Sequence, residues 1–175
     1  MSKGLIVLGY PGIGKSSIAG WNNCIDLESS MFHKMELGDF WYKIYCQVAI
    51  DIADQGYTVL VSTHKEVIDY FKQALKRKVN SERVKVIIFA PPKTMKAEWV
   101  DRLNKRYHEI PIPKNERALR RAENNWAGDL NMLNDSGITM YSPESMDYDL
   151  KNYICDMQKK YLGVDRKENL NDSYR

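Results

Sequence analysis

The chain has 175 residues, 43% of them hydrophobic, which suffices for one substantial buried core but not for two independent ones. Its net charge of +3 is too small to indicate a general nucleic-acid binder, and its three widely spaced cysteines match no metal-binding pattern. No signal pattern and no apolar run of membrane-spanning length are present, so we expect a cytoplasmic protein without membrane contact. We predict a single domain over residues 1–162 and a polar, flexible tail over 163–175.

The most specific motif lies near the amino end, where residues 9–16 read GYPGIGKS and fit the spacing G-x-x-x-x-G-K-[S/T]. The apolar residues 5–8 before it predict a strand, and residues 17–19 after it are expected to begin a helix. Glycines in such a loop let backbone N–H groups surround an anion, and the helix N-terminus adds further donors. We therefore predict a nucleoside triphosphate site. Its expected contacts are Gly9, Pro11, Gly12, Ile13, Gly14, Lys15, Ser16 and Ser17.

An acidic turn, residues 26–30, follows a short predicted strand at residues 23–25. Its first carboxylate, Asp26, has two chemical uses beside the loop. It could hold Mg²⁺ through water, or it could orient and deprotonate a hydroxyl acceptor. We predict Lys15 and Asp26 as catalytic residues, with Lys15 reaching the β- and γ-phosphates, and Ser16 and Asp26 as metal ligands.

Two segments in the middle of the chain have clear helix and strand patterns. Apolar residues at three- and four-residue spacing predict a helix over residues 39–55, and Gly56 follows as its stop signal. The near-continuous apolar run at 58–61 predicts a strand in a parallel sheet that is covered on both faces. Thr63 with Glu66 three residues later predicts a capping box for the next helix. The helix over residues 39–55 is expected to bury Phe40, Trp41, Ile44, Tyr45, Val48 and Ile52.

The second half of the chain continues the alternation of strands and helices. Residues 84–89 and 138–141 predict two more strands, and helices are expected near 95–107, near 116–133 and from Ser142 onwards. This order indicates βαβ units, so we predict an α/β fold: a three-layer α/β/α sandwich around a five-stranded parallel sheet. Ligands bind beyond the carboxyl ends of the strands in such a sheet, which is where we expect the functional residues.

The most basic section, residues 93–121, has nine basic residues against four acidic ones, a net charge of +5. Arg102 and Arg106 lie one helical turn apart within it and share a face. Guanidinium groups match the geometry of phosphoryl oxygens and stay charged, so we predict both arginines as catalytic residues. A solvated helix face is the alternative interpretation of the same charges.

The loop at 9–16, the acidic turn at 26–30, the element at 55–62 and the Arg102/Arg106 pair resemble the P-loop nucleoside and nucleotide kinase family. Small kinase-like proteins of bacteria and phages are similar, and the resemblance spans residues 3 to about 162. It implies ATP and Mg²⁺ as cofactors and a mobile helical lid at about 93–121. The family's Asp-Gly-x-Pro-Arg acceptor signature is absent from this chain.

Three functions are compatible with these features. The first is an ATP-dependent kinase for a small nucleotide, a nucleoside or deoxynucleoside monophosphate, because an anionic acceptor needs arginines and little general-base help. The second is a kinase for a hydroxyl acceptor with Asp26 as base, either a nucleoside or a polynucleotide 5′-hydroxyl, and only then would nucleic acid be a partner. The third is a nucleotide-gated binding module with little turnover. No apolar strand ends in Asp-Glu, which weighs against a motor ATPase.

Overall fold

The computed structural model describes residues 2–33, 38–76 and 83–164, so most of the predicted tail lies outside the described residues. The strands are β1 (Gly4–Gly9), β2 (Cys24–Asp26), β3 (Thr58–Ser62), β4 (Val84–Phe89) and β5 (Met140–Tyr141). The helices are α1 (Ser29–His33), α2 (Trp41–Asp54), α3 (Lys65–Lys76), α4 (Lys96–Glu109), α5 (Pro113–Asn134) and α6 (Leu150–Leu162). Single 3₁₀ turns lie at Lys15–Ser17, Gly38–Phe40 and Lys93–Met95.

All five strands are parallel and form one sheet in the order β2-β3-β1-β4-β5. Helices flank the sheet, and every residue of the central strand β1 is buried. The predicted three-layer α/β/α sandwich with a five-stranded parallel sheet is thereby confirmed. Because β1 lies between β3 and β4, the loop that follows it emerges at the centre of the sheet's carboxyl edge.

The buried face of α2 agrees only in part with the predicted one. Phe40 and Ile44 were expected inside, but their side chains are 61% and 40% exposed. Trp41 and Tyr45 are buried as predicted, and Val48 and Ile52 are partly buried against the core. The small residues of the helix allow a close approach to β1, where a Cβ atom built on Gly4 would lie 1.7 Å from the Ala53 carbonyl oxygen. The buried positions are Trp41, Tyr45, Cys46, Ala49, Ile50 and Ala53.

Chain direction changes right after the loop, where a helix was expected to begin at residues 17–19. The structure has only the 3₁₀ turn Lys15–Ser17 there. Positive φ angles at Gly20, Asn22 and Asn23 then lead the chain into β2. The prediction of a helix is wrong at this point because these residues adopt the left-handed conformation that ends helical geometry. The loop therefore offers an anion its backbone amides and side chains rather than the dipole of a long helix.

Two further helix starts differ from the sequence prediction. The last helix begins at Leu150 rather than at Ser142, and Asp149 caps it by accepting a hydrogen bond from the Lys151 amide at 2.9 Å. The predicted capping box at Thr63 is absent, because the Thr63 hydroxyl is buried without a hydrogen-bond partner among the described residues. None of the helices in the described ranges has the length and apolar character needed to cross a bilayer.

Candidate functional site

A cavity of about 1180 Å³ opens at the carboxyl edge of the sheet. The loop 9–17, the acidic turn 26–30 and the residues 62–65 that follow β3 form three of its sides. The fourth side is a face of α5 that presents residues at three- and four-residue spacing. These α5 residues are Lys114, Asn115, Arg117, Ala118, Arg121, Asn125, Gly128, Asp129 and Met132. All predicted nucleotide-contact residues line this cavity, as do Asp26 and Arg106, whereas Arg102 does not.

The backbone of the loop exposes hydrogen-bond donors. Gly12 and Gly14 have φ angles of 90° and 96°, a conformation that glycine adopts without strain. Within the described part of the chain, the amides of Gly14, Lys15 and Ser16 donate to no protein acceptor. The Lys15 ammonium donates to the Gly9 carbonyl at 3.1 Å and so lies across the loop. Such a concave set of donors is suited to the oxygens of a phosphate group.

The surroundings of Lys15 make its positive charge energetically unfavourable. Its side chain is half-buried, and this burial lowers the pKa of Lys15 to about 8, although Asp26 acts in the opposite direction. Lys114 and Arg106 lower the pKa further because they bring like charge close to it. A bound polyanion would therefore raise the pKa of Lys15 again and favour its protonated form.

Asp26 and Ser16 form a pair of oxygen ligands beside Lys15. The Ser16 hydroxyl donates to Asp26 Oδ2 at 3.1 Å, whereas Asp26 Oδ1 is buried with no partner among the described residues. Burial raises the pKa of Asp26, and the Lys15 charge and the Ser16 hydrogen bond oppose that rise. A buried acceptor without a partner is costly, and Mg²⁺ prefers oxygen ligands of this kind. The two side chains therefore fit a magnesium ion.

Tyr45 from α2 holds the ends of two strands together. Its hydroxyl donates to the Leu27 carbonyl at 2.8 Å and accepts from the Ser62 amide at 2.9 Å. These contacts fix the acidic turn relative to the end of β3. The hydrophobic pattern indicated Tyr45 only as a core residue, because the neighbouring sequence does not indicate which groups its hydroxyl contacts. Lys114 of α5 forms an ion pair with Glu28 of the acidic turn, and both residues line the cavity.

Three α5 residues that the sequence analysis did not single out form a polar cluster in the cavity wall. Asp129 is 6% exposed and accepts hydrogen bonds from Arg121 and from Asn125, the latter at 2.8 Å. Arg121 also donates to the Thr63 carbonyl at 2.9 Å. The helix has non-helical φ and ψ angles of −131° and 20° at Asn125. The only sequence signal was the four-residue spacing of polar side chains in an otherwise ordinary helix.

The arginines of the basic section divide into two groups. Arg106 and Arg117 line the cavity, and neither forms an ion pair within the described ranges. Arg102 lies outside it, where it donates to the Met146 carbonyl at 2.6 Å and to the Tyr148 hydroxyl at 3.2 Å. The predicted pair thus shares a helix but not a site.

The section predicted as a lid contacts the loop through α4. Trp99 is fully buried and donates from Nε1 to the Pro11 carbonyl at 2.9 Å. Leu103, one turn further along, is also buried. Opening of a lid over 93–121 stays a prediction, and these are the contacts at its base.

The strand order and the position of the loop after the central strand are consistent with a P-loop NTPase-like fold. No protein-family model matches the chain, and no curated protein matches it either. Among solved structures, a chain of the Pnkp1/Rnl/Hen1 RNA repair complex is 20% identical, with a TM-score of 0.47 over 82% of this chain and 49% of that one. The present chain therefore spans about half the length of that protein. A chain from the PezAT chromosomal toxin–antitoxin system of Streptococcus pneumoniae is 17% identical, with a TM-score of 0.37 over 91% of this chain and 78% of that one.

Proposed function

We propose that the protein is a P-loop kinase that transfers the terminal phosphoryl group of ATP to a small nucleotide, a nucleoside or deoxynucleoside monophosphate. One observation carries the proposal. The loop with its unpaired amides and Lys15 shares a cavity with two arginines, Arg106 and Arg117, that have no carboxylate partner in the described residues. Donors for a polyphosphate and cations for a second phosphate thus face the same space.

The proposed roles follow from the charge and position of each group. The loop amides and Lys15 hold the β- and γ-phosphates, and Arg106 and Arg117 attract the phosphate of the acceptor. Magnesium, held by Ser16 and Asp26, would neutralise charge on the β- and γ-phosphates. The protein's contribution is position and positive charge, because an acceptor that is already anionic needs no strong base.

The polar cluster on α5 supplies a neutral surface further along the cavity. Arg121 is paired with Asp129, so this region adds hydrogen-bonding groups without net charge. Thr63, next to the cluster, has a buried hydroxyl with no partner among the described residues. Unpaired buried hydroxyls and amides suit the polar edge of a nucleoside, which is uncharged apart from its phosphate. We assign this end of the cavity to the nucleoside of the acceptor.

Asp26 also favours a second candidate, phosphorylation of a hydroxyl acceptor. Its raised pKa and its unpartnered Oδ1 are properties of a general base as well as of a metal ligand. The two candidates differ in what Asp26 must do. With a hydroxyl acceptor, Asp26→Asn removes the base and abolishes the reaction, whereas with a monophosphate acceptor it only slows the reaction.

The test is a side-by-side assay of nucleoside monophosphates, nucleosides and 5′-hydroxyl oligonucleotides with Mg·ATP. We expect diphosphate products from monophosphates, and at least tenfold less product from either hydroxyl class. Products from hydroxyl acceptors alone would contradict the proposal and support the second candidate. Tight ATP binding with no product from any acceptor would indicate a nucleotide-gated binding module instead.

A further inference from the structure

We propose that Arg102 is a positioning residue that, together with Trp99 and Tyr148, holds the phosphate-binding loop in its binding conformation from outside the cavity. We call these three residues the rear brace. The inference rests on the proposed function, since a nucleotide at the loop is the ligand that the brace would serve. It replaces the catalytic role that the sequence predicted for Arg102.

The rear brace contacts three consecutive carbonyl groups of the loop. Each brace residue donates one hydrogen bond from the side that faces away from the cavity, and the three donors come from α4 and from the segment that precedes α6. The bonds run from Trp99 Nε1 to the Pro11 carbonyl at 2.9 Å, from Arg102 Nη1 to the Gly12 carbonyl at 3.5 Å, and from the Tyr148 hydroxyl to the Ile13 carbonyl at 2.9 Å.

These contacts set the direction of the loop's donors. A peptide unit is planar and trans, so its C=O and the N–H of the next residue point in opposite directions. The carbonyls held by Trp99 and Tyr148 therefore direct the amides of Gly12 and Gly14 away from the brace, toward the cavity. The Gly12 carbonyl held by Arg102 belongs to the peptide between them, whose Ile13 amide donates to the Tyr10 carbonyl at 3.3 Å, so Arg102 fixes the turn that joins the two free donors. Donors that are already oriented need no reordering when an anion arrives, which lowers the free-energy cost of binding.

Arg102, which lies outside the cavity, uses three of its five N–H donors on protein acceptors. Its guanidinium contacts two carbonyl oxygens, those of Gly12 and Met146, and the Tyr148 hydroxyl. The guanidinium carbon also lies 5.0 Å from the ring centroid of Trp99 and 5.2 Å from that of Tyr148, and the two rings are nearly parallel. Cation–π contacts of this kind hold the group in place. The positive charge of Arg102 therefore interacts with the two aromatic rings of the rear brace.

The loop is shaped to accept the brace at close range. A Cβ atom on Gly12 would lie 3.0 Å from Leu103 Cδ2 and 3.1 Å from Trp99 Nε1. Glycine at this position is therefore required by contact with α4 as well as by its φ angle of 90°. Burial raises the pKa of Tyr148 to about 12, which keeps its hydroxyl a neutral donor across the physiological range.

The experiment compares Arg102→Gln, Tyr148→Phe and the double variant with the wild-type protein. Calorimetry measures the dissociation constants of Mg·ATP and Mg·ADP, and thermal unfolding without nucleotide checks the fold. We expect each single change to weaken both nucleotides by about tenfold, with the ratio of the two constants unchanged, because the shared defect is in the loop. The double variant should lose less than the product of the single losses, since both residues act on one structure.

Arg120→Gln is the matched control, because Arg120 is an exposed arginine of the same basic section that pairs with Glu116. It should bind both nucleotides like the wild type. Amide hydrogen exchange of Ile13 without nucleotide adds a second measurement, because this amide donates to the Tyr10 carbonyl at 3.3 Å within the loop. We expect faster exchange in both brace variants, whereas loss of a direct phosphate contact would leave exchange in the nucleotide-free protein unchanged. Tyr148→Phe keeps the aromatic ring, so it tests whether the brace orders the loop even if Arg102→Gln does not fold.

Two outcomes would overturn the rear brace. One is a loss for ATP much larger than for ADP in Arg102→Gln with no effect of Tyr148→Phe, which is the behaviour of a direct γ-phosphate ligand. The other is wild-type affinity and wild-type exchange in both variants. If the wild-type protein binds no nucleotide, the proposed function fails, and the exchange measurement still decides whether the brace orders the loop.

Discussion

The two sides of the loop at residues 9–16 are built in opposite ways. On the cavity side, backbone amides and Asp26 Oδ1 have no partner among the described residues, and Lys15 is charged at a cost. On the rear side, consecutive carbonyls each accept a hydrogen bond from Trp99, Arg102 or Tyr148. Buried polar groups are normally paired, so the unpaired side is the one prepared for a ligand. The comparison separates the residues that would bind a ligand from the residues that position the loop.

The largest effect is expected from Lys15→Met on the cavity side. This change removes the charge that faces the transferred phosphoryl group, and turnover should fall by about a hundredfold to a thousandfold. Lys65→Met is the control, because Lys65 also lines the cavity but is exposed and pairs with Asp69. Steady-state rates with ATP and the best monophosphate give the measurement. Equal turnover in Lys15→Met and the wild type would contradict the assignment of the cavity side.

Arg117→Gln tests whether the free cations serve the acceptor. We expect the KM for a monophosphate to rise by about tenfold, because a charge-assisted hydrogen bond is lost, while the KM for ATP stays the same. Arg120→Gln, on the same helix but paired with Glu116, is the control. A rise in the KM for ATP instead would place Arg117 at the nucleotide donor.

The pH dependence of nucleotide binding tests the cost of the Lys15 charge. Phosphate binding needs the protonated ammonium, whose pKa is lowered to about 8, so affinity should be constant at lower pH and fall about tenfold per pH unit above 8. Calorimetric titrations between pH 6.5 and about pH 9.5 measure this. Lys15→Arg supplies the control, since arginine stays charged and its affinity should change little over this range.

The folding stability of the nucleotide-free protein should increase with pH where the nucleotide affinity decreases. The folded-state pKa of Lys15 lies below its ordinary value of 10.5, so the unfolded chain binds more protons between these two values. The contribution of Lys15 to the free energy of unfolding should therefore increase as the pH rises from 8 to 10.5. The difference in unfolding free energy between wild type and Lys15→Met isolates this contribution from that of other groups.

The smallest effect is expected from Tyr45→Phe, which acts on positioning alone. Loss of the hydroxyl leaves the Leu27 carbonyl and the Ser62 amide without their shared partner, at a cost of about 1–3 kcal/mol in the free energy of unfolding. Turnover should decrease only a few-fold. Denaturant unfolding measures the stability, with Tyr57→Phe on the protein surface as control. An unchanged stability would show that the bridge does not hold the acidic turn.

Local patterns predicted much of this fold correctly. The strands predicted at residues 58–61 and 84–89 and the short strand that ends at Asp26 were confirmed, because apolar runs between turn residues specify buried parallel strands. Helix starts were less predictable. The last helix begins eight residues later than expected, since the Asp149 cap competes with the Ser-Pro signal at residue 142.

The candidate site was predictable only where one short segment contains it. The spacing of residues 9–16 and the carboxylate at the end of β2 brought Lys15, Ser16 and Asp26 together in the expected cavity. The Arg121–Asp129 pair was not predictable, because it forms within α5 across the non-helical angles at Asn125. The partners of Arg102 were not predictable, because those contacts join residues far apart in the chain. Helical spacing placed Arg102 and Arg106 on one face, but that face is wide enough to contact two different environments.

The amino-acid sequence by itself determined the α/β class, the strand order along the chain and the loop that follows β1. These properties depend on hydrophobic period and on glycine spacing, which act over a few residues. Only the tertiary structure decided which arginine enters the cavity and which one supports the loop from behind. That division depends on where α4 and the segment before α6 pack, and such packing is set by contacts between distant segments rather than by any local pattern.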